Sequence, residues 1–219
     1  MIGYFIWKSS VILLLFIFYF LIISFAAISF LPKKKKKLRQ IGTPVAFVIP
    51  NGWPAIQYNL DSNPLTKEGI ELGKKLFYDG RLSKDGQFAC GSCHQSFAAM
   101  ATLDHALSHG FNNQFTIRNA PSLANLAWQK NFHWDGGINH LDAQPLAPIT
   151  APNEMAEDLN NIIKNLKRDT AYVAMFRKAF GDTVINTQRM TKAMSQFMLT
   201  MVSCNSKYDK VKRKEASFT

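Results

Sequence analysis

Cys90-Gly91-Ser92-Cys93-His94 decides the reading of this sequence. Two thiols three residues apart can add to the two vinyl groups of one porphyrin, while the adjacent imidazole reaches the iron from the same turn. A covalently bound c-type haem (haem c) is therefore expected, attached at Cys90 and Cys93 with His94 as the axial ligand. A Cys-x-x-Cys pair has two other readings. A redox-active pair wants a βαβ context, which the surrounding sequence lacks. A structural zinc site wants a second ligand pair, and the remaining cysteine, Cys204, stands alone. Cys204 reads as a buried spectator near a helix end.

Helical signals flank the motif. Thr66 is a candidate N-cap for a helix running to about Phe77, with Ile70, Leu76 and Phe77 on its buried face. After the motif, residues 98–153 are rich in Asn, Pro and Gly, and far longer than an ordinary connection. They hold His105, His109, His133 and His140 together with two of the four tryptophans, so a functional role is the better explanation of their irregularity. Helices are expected again from about Glu157 to Lys167, from Thr170 to Phe180 with Gly181 closing it, and from about Thr187 to Val202. In the last of these Met190, Met194, Phe197, Met198 and Met201 form a stripe that reads as core filler. The fold expected is mainly α, a cytochrome c-like haem domain with long irregular loops over residues 65–219.

Upstream, residues 32–64 read as a basic linker that becomes an extended strap. Gly42-Thr-Pro-Val-Ala-Phe-Val-Ile-Pro-Asn-Gly-Trp-Pro54 holds too much proline and glycine for a helix or a central strand. Phe47 and Trp53 are its docking residues. Further upstream, Ser9 to Leu31 is an uncharged run dominated by Leu, Ile and Phe, long enough to span a bilayer as a helix. Residues 1–31 are therefore read as a membrane anchor, with a small-x-small site at Ala27-Ile28-Ser29 that leaves cleavage as a signal segment open. The net charge of +11 is concentrated here, because residues 1–40 hold seven of the 26 Lys and Arg and no acid. Residues 41–219 carry no basic stripe with interleaved aromatics, which sets nucleic acid aside. The penta-lysine from Lys33 to Lys37 would favour a cytoplasmic location for the domain C-terminal to it, whereas haem attachment favours the outer face. The haem signal is the more specific, so the domain is placed on the periplasmic side of a bacterial inner membrane.

Taken with the haem motif, Leu72-Gly-Lys-Lys-Leu-Phe-Tyr-Asp-Gly-Arg-Leu-Ser83, Ser108-His-Gly110, Arg118-Asn-Ala-Pro-Ser-Leu123, Trp134-Asp-Gly-Gly137 and Pro152-Asn-Glu-Met155 form six ordered blocks. From about residue 60 onward the sequence resembles the bacterial di-haem cytochrome c peroxidases and the related di-haem enzymes that mature methylamine dehydrogenase. The match is to their N-terminal half. The resemblance implies that His94 is the proximal ligand of the low-potential haem. It implies that His109 is a displaceable distal ligand, with His105 as its rival, and that Asn119 helps bind a calcium ion. Trp134 would lie between two haems as an electron conduit. Gln144 and Glu154 would form the distal pair that handles peroxide. A carboxylate in a largely apolar pocket has its pKa raised toward neutrality and can pass a proton between the two peroxide oxygens, while Gln144 orients them. His133 and His140 receive no role.

The resemblance implies reduction of hydrogen peroxide to water, with electrons from a small cytochrome c or a cupredoxin. Association as a homodimer is left open. The family carries a second Cys-x-x-Cys-His, and none is present in these 219 residues. The sequence is expected to be a piece of a longer chain whose second domain holds the electron-accepting haem. The alternatives are a mono-haem electron-transfer or sensing cytochrome, and a di-haem oxidase acting on a protein.

Overall fold

The frame of the molecule starts at Thr66, where an extended chain turns into helix α1 (Lys67–Phe77). Thr66 Oγ1 accepts a hydrogen bond from the Gly69 N–H at 3.0 Å, satisfying one of the amides that a helix start leaves without a partner. The computed structural model describes residues 41–218. The expected membrane anchor, residues 1–31, and the first part of the linker lie outside the described residues. Among the described residues no helix is long and apolar enough to cross a membrane.

α1 buries Leu76 and Phe77 as expected and Leu72 besides, but Ile70 is only half-buried. Its closest packing is made by two glycines. A Cβ at Gly69 would sit 2.2 Å from the Gln196 side chain, and one at Gly73 would sit 1.9 Å from the Ala193 carbonyl oxygen. The Gly69-x-x-x-Gly73 spacing thus lets α1 cross directly against helix α6 (Thr187–Met198).

Helices α4 (Leu159–Arg168) and α5 (Thr170–Phe180) form a hairpin joined by Asp169 alone, and α5 also packs on α1. Asp158, rather than Glu157, starts α4, because its carboxylate accepts from the amides of Asn160 and Asn161. Gly181 closes α5 at φ +86°. The methionine stripe of α6 is core: Met190, Met194 and Met198 are fully buried and Met201 half-buried. α6 stops at Met198 and does not reach Val202. Beyond it the chain is drawn aside by Asn125, whose backbone N–H donates to the Met201 carbonyl (2.8 Å) and whose side chain brackets Ser203. Cys204 lies in the connector to α7 (Lys207–Lys212). It is half-buried rather than buried, and its carbonyl accepts from Arg213.

Among the described residues there is no β-strand, only isolated bridges. The strap runs over the frame as an extended chain. Phe47 and Trp53 both dock on Trp128, with ring centroids 5.6 and 4.7 Å away, and the Trp128 indole donates to the Pro54 carbonyl at 2.8 Å. A polar chain then links the frame to the site. Gln196 on α6 donates to Asn63, Asn63 to the Tyr58 hydroxyl, and Tyr58 to Asp142 at 2.7 Å. Asp142 lies in a short 3-10 turn (Leu141–Ala143) that leads into Gln144 and helix α3 (Leu146–Thr150).

A second polar cluster pins the end of α1 to α5. The Tyr172 hydroxyl donates to Asp79 at 2.6 Å, and Arg81 bridges Asp79 and Asp169. Burial pushes the Asp79 carboxyl up, but the hydrogen bonds from Arg81 and Tyr172 outweigh it and hold the group below the usual carboxylate range.

Candidate haem site

The haem motif forms one turn of helix, α2 (Cys90–Cys93), with His94 at its C-terminal end. Ser92 Oγ accepts from the Ala89 N–H at 3.1 Å, which starts the turn. Neither cysteine is in a disulfide. Desolvation, reinforced by Cys93, pushes the Cys90 thiol up to about 12, and desolvation also raises Cys93. Reactive redox pairs lower their thiol pKa values, so this environment disfavours one. Among the described residues no three His, Cys, Asp or Glu side chains gather in a group that could hold a metal ion.

His94 is held in one tautomer. Its Nδ1 lies 2.8 Å from the Met100 carbonyl oxygen, which can only accept, so Nδ1 carries the proton and Nε2 keeps a free lone pair. Desolvation lowers its pKa, against the opposing pull of the Met100 and Pro121 carbonyls. The ring is therefore kept neutral, the state in which imidazole ligates a metal. The supporting carbonyl comes from a tight loop in which Ala99 (φ +54°) and Met100 (φ +61°) are both left-handed, a costly conformation for residues with a Cβ.

Beside α2 opens a cleft that encloses about 1160 Å³ of space when the solvent at its open mouth is included. Phe77, Leu123, Pro148, Met194 and Met198 give it an apolar wall. Cys90, Cys93 and His94 lie on it, as do His109, Asn119, Trp134, Gln144 and Glu154. Every site residue given a role in the sequence thus borders one cavity, the rival ligand His105 excepted. Paired neutral thiols, a neutral imidazole with a free Nε2 and an apolar wall beside them fit a haem c.

The irregular segments are fastened to one another at the cleft. Gly110 has no room for a Cβ, which would lie 2.2 Å from the Asn153 carbonyl oxygen, and the Phe111 N–H donates to the Glu154 carbonyl at 2.6 Å. Ser-His-Gly and Asn-Glu-Met are therefore one packed unit. Ser108 shares a hydrogen bond with Thr102, and Thr102 donates to the Cys93 carbonyl at 2.7 Å. Arg118 pairs with Asp135 at 3.1 Å, and the Trp134 indole donates to the Asn119 carbonyl at 2.7 Å. The Asn119 side-chain nitrogen donates to the carbonyls of Thr102, His105 and Ala106, each at 3.2 Å. Trp134 is 64% exposed.

His109 donates from Nδ1 to Asn113 at 3.0 Å and is flanked by Phe115 and His105. His105 itself does not border the cleft, and neither does His140, whose Nδ1 accepts from the Asp142 N–H. Glu154 is half-buried. Desolvation raises its carboxyl, and His133 pulls it the other way. His133 borders the cleft as well, with its Nε2 3.3 Å from Gln144 Nε2. Sequence reasoning left His133 without a role, although its place beside Trp134 was a signal. It also missed the Met100 carbonyl, for which no residue-type signal exists.

Residues 67–217 match the family model described as di-haem cytochrome c peroxidase. The chain is 39% identical over 151 residues to the methylamine utilization protein MauG of Methylorubrum extorquens, covering 68% of this chain and 42% of that protein. It is 36% identical over 147 residues to the cytochrome c551 peroxidase of Nitrosomonas europaea, covering 67% of this chain and 44% of that one. The chain thus spans less than half the length of these curated relatives. A crystal structure of a MauG-like protein associated with microbial copper homeostasis superposes with a TM-score of 0.72 at 31% identity, over 80% of this chain and 52% of that one. The di-haem peroxidase BthA of Burkholderia thailandensis, at 23% identity and a TM-score of 0.64 over 84% of this chain and half of that one, shares the fold.

Proposed function

This chain belongs to the di-haem cytochrome c peroxidase family, and on that footing we propose that its cleft is a peroxide-reducing haem c centre. Cys90 and Cys93 would hold the haem covalently and His94 would bind its iron. The haem, when bound, supplies the electrons that reduce peroxide, by the balance hydrogen peroxide plus two protons and two electrons to two waters. The protein supplies the proton path. Glu154 takes the proton from one peroxide oxygen and returns it to the other, and Gln144 holds the peroxide in line.

The observation that carries this reading is the convergence of Glu154 and Gln144 on the cleft that also holds both thiols and His94, with Glu154 raised by burial toward the working range of an acid–base group. His109 would be the displaceable distal ligand. Its turn is closed by the Gly110 N–H donating to the Gln114 carbonyl (2.8 Å). Trp134 would pass electrons to this centre from a second haem in the rest of a longer protein, itself fed by a small cytochrome c or a cupredoxin. A calcium ion near Asn119, a homodimer, and a periplasmic location with residues 1–31 as anchor or cleaved signal complete the proposal. The last three rest on the resemblance and the sequence alone.

The test is peroxide turnover by the haem-loaded protein with a reduced cytochrome c as donor. Glu154→Gln is expected to lower kcat by about 10²–10⁴-fold while leaving haem attachment intact. Unchanged turnover in that variant would remove Glu154 from the chemistry. The resemblance to the di-haem enzymes that mature methylamine dehydrogenase gives a second reading, oxidation of a partner protein. A peroxide-oxidised state that persists in the presence of reduced cytochrome c would favour that reading.

A further inference from the structure

His133 is the one histidine bordering the cleft to which neither the motifs nor the proposed chemistry gives a task. Its backbone is left-handed, at φ +66°, in a turn closed by the Gly136 N–H donating to the His133 carbonyl at 3.2 Å. Phe132 before it is buried and bonded through its N–H to the Ile138 carbonyl at 2.7 Å. Histidine is among the residues with a Cβ that most often adopt this conformation, and such positions cluster at functional sites. Here it puts an imidazole on the cleft wall beside Gln144.

The contact between them is nitrogen to nitrogen, 3.3 Å from Gln144 Nε2 to His133 Nε2. An amide nitrogen only donates, so the bond requires His133 Nε2 to accept, with the ring neutral and its proton on Nδ1. The Gln144 oxygen is then free to face elsewhere. Once His133 carries a proton on Nε2, two donors oppose each other. The amide must turn over to offer Oε1 to the ring, which leaves its NH₂ group free instead.

We propose that His133 is a positioning residue that sets which end of the Gln144 amide faces the cleft, and so whether a bound peroxide meets an acceptor or a donor. The proposal rests on the assignment of Gln144 and Glu154 to the peroxide face. The other titratable or charged groups on the cleft are Cys90, Cys93, His94, His109, Arg118, Asp135 and Glu154. Arg118 and Asp135 are paired with each other, and the Nδ1 atoms of His94 and His109 are committed to Met100 and Asn113. Glu154 remains, and it responds to charge on His133.

Cyanide binding to the haem-loaded full chain tests this without turnover. Hydrogen cyanide must lose its proton to bind and then accepts a hydrogen bond, so its association rate against pH reports the groups that face the ligand. His133→Asn tolerates the left-handed backbone but is too short to reach Gln144, whereas His133→Gln can reach it and does not titrate. Both variants are expected to lose one ionisation from the wild-type profile. H133N should also bind cyanide about tenfold more weakly, with H133Q restoring the affinity. A wild-type profile in H133N overturns the proposal. If Glu154→Gln changes the profile and H133N does not, the inference fails while the peroxide-site reading stands. If neither changes it, that reading itself fails. Should H133N not load haem, Gln144→Leu decides. In that background H133Q is expected to change nothing, and an ionisation that persists in Q144L and is removed by H133Q overturns the action through Gln144.

Discussion

The frame made by α1, α5 and α6 and the irregular stretch from residue 89 to 156 are stabilised in different ways. The frame is held by side-chain burial and by two glycines that let helices touch. The irregular stretch is held by hydrogen bonds from side chains to carbonyls, and by left-handed residues such as Ala99, Met100, Asn112, Asn113 and His133. Nearly every polar group of the site comes from the second region, while Phe77, Met194 and Met198 of the frame supply only its apolar wall. Periodicity makes a scaffold, whereas placing an imidazole or a carbonyl to a fraction of an ångström takes individually specified bonds.

Two glycine variants separate the regions. Gly73→Ala is expected to have the largest effect on stability, about 3 kcal/mol, because the new methyl meets backbone of α6 that cannot yield. Thermal unfolding should show the loss, while material that folds keeps the proposed peroxide chemistry. Gly110→Ala should cost less, about 2 kcal/mol, since a loop can shift. It should instead lower peroxide turnover by roughly ten- to a hundredfold, by pushing Glu154 out of place. If G110A left turnover intact, the packed unit of Ser-His-Gly and Asn-Glu-Met would not be the feature that positions the carboxylate.

The smallest effect belongs to the Asp79 cluster, where frame and loop meet. Asp79 sits below its ordinary pKa when folded, so its contribution is fully present above the unfolded carboxylate value of about 3.9 and is lost as pH falls through the folded value. Tyr172→Phe should cost about 1 kcal/mol near neutral pH. Asp79→Asn should flatten the acid side of the Tm–pH curve. An unchanged acid limb in D79N would assign the acid sensitivity to other carboxylates.

The frame was largely legible in the sequence. Thr66 as a cap, the span of α5 with Gly181, and the methionine stripe come from periodicity and capping, which are local. The end of α6 was missed because it is set by Asn125, more than seventy residues away. The glycine contact in α1 was missed because glycine is invisible to a hydrophobic pattern, although its i, i+4 spacing was available. In the site, the Cys-x-x-Cys-His motif was legible because its chemistry is contiguous. Glu154, Gln144 and His109 came from the resemblance alone, and the structure brings them to the same cleft. The Met100 carbonyl and the His133–Gln144 contact depend on backbone geometry that residue identity does not encode.

In the proposed site Cys90 and Cys93 would hold a haem covalently beside His94. The direct measurement is the intact mass, under denaturing conditions, of the full chain made in a host that matures c-type cytochromes. The expected result is the polypeptide plus one haem, reduced to the bare polypeptide in the Cys90→Ser, Cys93→Ser double variant. A wild-type chain without added mass, or a double variant that keeps the haem through denaturation, would contradict it.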